Sequence, residues 1–186
     1  MKETLTQKKV REKKVQEVKE GLQSGKEAVI LKALEDLKKY GDLSVIPLLI
    51  ELVIEHEQGP VSEQVRDLMV NIKGSDIISP VMNALRQNID DAVKSFLLSV
   101  IWETGQDAYP YISEIIEIAL NGSSMTVIEA MTVIENIDEN KDPAPFNDAL
   151  VMLKSEIKKN EGRFMPDKVR TLEALAQVLT EKLIGQ

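Results

Sequence analysis

The chain has 186 residues, 43% of them hydrophobic and 29% charged, with a formal net charge of −8 at pH 7. That balance argues against wholesale disorder and leaves room for one sizeable core or a repeat array of similar size. Aromatic residues are 4% of the chain and cysteine is absent, which favours helices over a β-sandwich and excludes disulfides, thiolate metal sites and a cysteine nucleophile.

The first expected element is a helix within residues 1–24, where Leu5, Val15, Val18 and Leu22 form a thin apolar stripe among Lys and Glu. It is expected to cap whatever follows, with a basic arm for an acidic partner or nucleic acid as the alternative. This segment is charged throughout and lacks the apolar stretch of a signal peptide. The longest apolar-rich run, Leu43–Ile54, is too short for a membrane span and holds Ser44, Pro47 and Glu51. A cytoplasmic protein with no membrane association is therefore expected. "GLQSGKE" (Gly21–Glu27) is close to a phosphate-binding loop but is one residue short between its glycines, and Glu27 stands where Ser or Thr would hold magnesium. It reads as a helix-to-helix linker.

From Glu27 onward, helical stripes alternate with turn signals. Ile30, Leu34 and Leu37 share one face, followed by Gly41, Asp42 and a second helix opened by Pro47. Val61, Val65, Leu68 and Ile72 form the next stripe, followed by Gly74, Asp76 and Pro80. Phe96, Leu97, Val100 and Ile101 come third, before Gly105, Asp107 and Pro110, and Val127, Met131 and Ile134 come fourth, before Asp142 and Pro145. The glycines fall where a C-terminal cap wants left-handed backbone, the prolines where a first helical turn has no use for an N–H, and the aspartates where they can cap exposed N–H groups. One residue after each proline stand Leu48, Val81, Tyr111 and Phe146, and five after it Leu52, Leu85, Ile115 and Leu150. All eight are apolar. A last helix opened by Pro166 sets Val169, Leu172, Ala176, Leu179 and Leu183 on one face, as a C-terminal cap.

The unit is thus helix, turn, helix, and one such pair cannot bury both its faces alone, so copies must stack. "ILKALEDLKKYGDLSVIPLLIELV" resembles a HEAT repeat. The resemblance is strongest over residues 27–57, fair over 61–89 and 91–121, and weakest over 124–160, where no glycine marks the turn. Tetratricopeptide signatures are not visible, and armadillo repeats would need a third helix per unit. The resemblance implies one all-α domain over 1–186, a right-handed α-α superhelix. About four hairpins (27–160) would lie between an N-terminal cap (1–24) and a C-terminal capping helix (163–186).

No constellation announces catalysis. "DENKD" (Asp138–Asp142) opens like a calcium loop, yet Pro143 replaces the turn glycine and Ala149 the bidentate glutamate, so an acidic solvated turn is expected. His56, the one histidine, is expected to top off its helix, Trp102 to pack beside the third stripe, and Asn121-Gly-Ser to carry no sugar. Paired carboxylates such as Glu51/Glu55 and Glu114/Glu117 read as solvated faces. No cofactor is expected.

Charge is distributed unevenly. Residues 1–40 carry eleven Lys/Arg against seven Asp/Glu, whereas residues 87–153 carry twelve acids and only Lys94 and Lys141 as bases. A phosphate backbone would be repelled by the latter stretch and a basic protein attracted to it. HEAT-like arrays, as the resemblance implies, present their second helices along a concave groove. Positions three, four and seven after each proline would face it: Ile50, Glu51, Ile54; Asn83, Ala84, Gln87; Ser113, Glu114, Glu117; Asp148, Ala149, Met152. Glu51, Asn83, Gln87, Glu114, Glu117 and Asp148 are the candidate contacts on a face with no Lys or Arg at these positions. The expected function is a non-enzymatic scaffold holding a basic protein segment. The alternatives are an enzyme accessory subunit or HEAT-like enzyme (lyase or DNA-repair type), or an architectural subunit that docks through an end.

Overall fold

The computed structural model describes residues 5–40, 43–56, 58–71, 76–160 and 162–184. Among these residues there are ten α-helices and no strand, so the chain is all-α as expected. None of the helices is long and apolar enough to cross a membrane, again among the described residues. The chain divides into two compact units, Met1–Ala84 and Leu85–Gln186.

The first unit holds α1 (Leu5–Leu22), α2 (Glu27–Tyr40), α3 (Ile46–Glu55) and α4 (Pro60–Val70), with α5 (Ile78–Leu85) reaching the boundary. α1 packs on α2 and α3, α2 on α4, and α3 on α4. The expected stripes do the packing: Val18 and Leu22 of α1 and Ile30, Leu34 and Leu37 of α2 are all buried. Each such side chain contributes about 2 kcal/mol by leaving water. Gly21 lets α1 approach α2, because a Cβ there would lie 2.8 Å from that of Ala33. "GLQSGKE" is the linker between these two helices, exposed from Gln23 to Glu27. Pro47 lies in the first turn of α3, which a 3₁₀ turn at Leu43–Val45 precedes. In α4 the stripe differs from expectation. Val61, Val65 and Met69 are buried at four-residue steps while Leu68 is half-buried, because α4 contacts both α2 and α3 and its apolar face slants between them. The turn residues Gly41, Asp42, Ile72 and Gly74 lie outside the described residues. Asp76 caps α5 as expected, accepting the Ser79 backbone N–H at 3.0 Å as well as its hydroxyl.

The second unit holds α6 (Asp91–Glu103), α7 (Ile112–Asn121), α8 (Ser124–Glu135), α9 (Ala144–Lys159) and α10 (Pro166–Ile184). α6 packs on α8 and α8 on α10; α7 packs on α8 and α9, and α9 on α10. Side-chain contacts give the directions. Early in α6, Ser95 meets Thr126 early in α8 (3.2 Å), and late in α6, Trp102 Nε1 donates to Glu129 (2.8 Å), so α6 and α8 run parallel. Near the start of α10, Lys168 donates to Leu120 O in the last turn of α7, close to where α8 begins, while near its end Lys182 donates to Glu135 O, the last residue of α8, and to Ile137 O just beyond it, at 2.6, 2.7 and 2.7 Å. α8 and α10 are therefore parallel too. α7 and α9 share their N-terminal end through Tyr109, whose ring lies 6.0 Å from Phe146 and whose hydroxyl donates to Asp142 O at 3.2 Å.

Local chemistry explains the ends. Gly105 closes α6 at φ +63, where a side chain would be strained. Pro110 is not in the first turn of α7 as expected. It sits in a 3₁₀ turn, Tyr109–Tyr111, that Asp107 caps by accepting the Tyr109 N–H at 3.0 Å, and α7 begins only at Ile112. Pro145 does occupy the first turn of α9, with Asp142 accepting the Ala144 N–H at 2.9 Å. The core of this unit includes Leu97, Ile101, Ile115, Val127, Ile134, Phe146, Leu172 and Leu179, each fully buried.

Candidate partner-binding surface

In the first unit, Glu51 is exposed midway along α3 and Asn83 is exposed on α5. Their expected companions are not on the surface: Ile50 and Ala84 are buried and Ile54 is half-buried. Four-residue packing contacts claim those positions for the core, so the exposed strip of each second helix is narrower than expected.

The second unit carries the remaining candidates. Glu117 is exposed on α7 and Asp148 on α9, two helices packed side by side, and Ser113 is exposed one turn before Glu117. No cation among the described residues pairs with either carboxylate. Ala149 is buried and Met152 half-buried, so neither offers the open apolar anchor expected of it. Gln87 is exposed but lies two residues beyond the end of α5, on the connecting turn rather than on a helix face.

Glu114 departs most from expectation. Its two carboxylate oxygens accept from Nε and a terminal nitrogen of Arg86 at 2.8 and 3.0 Å, a bidentate pair in which both side chains are partly exposed. The pair raises the Arg86 pKa above its ordinary value, through the hydrogen bond to Glu114 first. Arg86 is the residue that sequence reasoning missed. It stands one position past the end of α5, within the second unit, and its guanidinium reaches Glu114 on α7. A cation one place before Gln87 was the available signal, hidden by assuming that α5 continued.

A second cluster joins the turn before α7 to the turn before α9. Lys141 Nζ lies 2.7 Å from Asp107 Oδ2 and 5.5 Å from the centre of the Tyr109 ring. The hydrogen bond from Lys141 holds the Asp107 carboxyl below its ordinary value, and the same bond raises Lys141. Within "DENKD", Asp138 folds back on its own turn, accepting the Asn140 backbone and side-chain N–H groups at 2.9 and 2.8 Å. The backbone bond is the larger cause of its lowered pKa. Among the described residues no group of three or more His, Cys, Asp or Glu is placed to hold a metal ion. His56 is the C-cap of α3, its backbone N–H donating to Leu52 O at 2.8 Å, and Trp102 is half-buried. The Asn121 side chain turns back to Glu117 O at 2.8 Å.

Lys168 and Lys182 do a different job from the surface cations. Each brings an ammonium to carbonyls at the C-terminal end of another helix, where the dipole favours positive charge. Burial pushes the Lys168 pKa down, and its ammonium also lies 4.7 Å from the centre of the Phe164 ring. Compared with known proteins, the chain matches no family model, no curated protein and no solved structure.

Proposed function

We propose that this chain is a non-enzymatic interaction scaffold, a HEAT-like right-handed α-α array, that holds a basic segment of another protein against the acidic side of its second helices. The observation that supports the reading most is the exposed, unpaired Glu117 and Asp148 on adjacent helices, in a stretch where twelve acids stand against two bases. Parallel packing of α6, α8 and α10, with α7 and α9 alongside one another, is what stacked hairpins would produce. Carboxylates held on rigid helices attract a basic segment without first having to be ordered, and they steer its approach.

Glu51 would serve the same role in the first unit. Glu114 is secondary, since Arg86 already neutralises it. The test is affinity capture from a native cell lysate with wild type and with Glu117→Lys/Asp148→Lys, after circular dichroism has shown equal helicity. A protein held by the wild type and lost from the variant supports the reading. Equal retention of every captured protein contradicts it.

A further inference from the structure

Between α9 and α10 runs an open groove of about 680 Å³, lined by those two helices and the turn that joins them, with no described residue of α6, α7 or α8 in its walls. Its floor is apolar: Ile157 and Val169 are half-buried and Ala176 is buried. Much of the polar rim is already committed. Thr180 donates its hydroxyl to Ala176 O at 2.8 Å, and the Gln177 amide donates to Glu181 at 3.0 Å. Left to recognise an occupant are the exposed Lys154 and Lys158 on α9 and Glu173 on α10. Neither lysine has a partner among the described residues. On the α10 side Glu173 has exposed Arg170 three residues before it, so that rim carries both signs. On the α9 side the charged lining residues are both basic.

We infer that the groove receives an amphipathic helix of a partner protein, with an apolar stripe over Ile157, Val169 and Ala176 and carboxylates four residues apart against Lys154 and Lys158. Charge decides the sign of the occupant, and geometry decides its form. Lys154 and Lys158 are one helical turn apart, about 6 Å between their Cβ atoms, and acids at i and i+4 of an incoming helix repeat that spacing. Mid-helix backbone groups of α9 and α10 are used within their own helices, so an extended strand would find no edge to pair with. A helix arrives with its backbone bonds already made. A small ligand would stay largely in water in so open a groove. From Val169 to Thr180 the groove follows α10 for about 16 Å, room for about three turns of helix. The site is separate from the acidic residues of α7 and α9 and takes a partner of opposite charge.

The probe is a synthetic amphipathic helix of about sixteen residues, with Leu along one face and a Glu pair at i and i+4 beside it. Its twin carries Gln in place of both Glu. In fluorescence anisotropy at low salt, the full chain should bind the Glu peptide about three- to tenfold more tightly than the twin. Lys154→Gln/Lys158→Gln, exposed substitutions that circular dichroism should show to leave helicity unchanged, should erase that preference. Glu117→Gln/Asp148→Asn should keep it, which separates this site from the one proposed above. On titration, the shifted backbone amides should lie around residues 154–158 and 169–180. No binding up to about 1 mM, equal affinity for the two peptides, a preference that survives in the lysine variant, or shifts confined to other helices would each overturn the inference. So would cosedimentation with phosphatidylglycerol vesicles that the same lysine substitutions abolish, because the groove's cations would then serve a membrane surface.

Discussion

Gly122 and Lys182 show how much the second unit asks of single residues. Gly122 is buried, and a Cβ there would stand 2.5 Å from Cβ and Cγ2 of Thr126, itself fully buried and held by Ser95 and Ser123. Gly122→Ala should therefore destabilise the protein by about 1–3 kcal/mol, read from urea denaturation at unchanged m-value. Lys182 is 8% exposed and bonds two carbonyls at the end of α8. Lys182→Met keeps the apolar stem but strands both acceptors, and should cost about 1–3 kcal/mol in the same assay. The Lys141–Asp107 pair gives a pH signature instead. Asp107 has a folded-state pKa below its ordinary 3.8, so its contribution is present above that value and lost as pH falls through the folded one. Lys141 has a folded-state pKa above its ordinary 10.5, so its contribution is present below that value and lost as pH rises through the folded one. The stability difference between wild type and Lys141→Met should be small, because the pair is exposed. It should be flat from about pH 5 to 9 and shrink outside that window.

At the level of helices, the repeated proline and the four-residue stripes made most of the elements legible. Pro47, Pro80 and Pro145 do lie in first turns, Gly105 does end α6, and Ile30/Leu34/Leu37 do face the core. Pro110 was misplaced because Asp107 bonds the Tyr109 N–H and holds the chain in a tighter turn before α7 can start. The candidate surface was less legible. Periodicity places a residue on a face, but the width of the buried strip depends on how many neighbours a helix touches, and so Ile50, Ala84 and Ala149 went to the core. Arg86 escaped because an ion pair across 28 residues has no trace in local spacing. That pair makes its own prediction. Arg86→Met releases the Glu114 carboxylate on the α7 face, and a basic partner should then bind a few-fold more tightly, seen by calorimetric titration at low salt. Unchanged affinity would mean that Glu114 lies outside the contact.

For the molecule as a whole, the proposed function turns on whether another protein touches the exposed acidic residues of α7 and α9. The chain's −8 net charge is concentrated where residues 87–153 fold, so binding there should weaken with added salt. The most direct measurement is site-specific photo-crosslinking in native lysate. A photoreactive residue would replace Ser113, exposed on α7 beside Glu117, and separately Ile128, exposed on α8. A partner adduct from position 113 and none from position 128 is the predicted result. An adduct from position 128 alone would contradict the assignment of the acidic second-helix face as the working surface.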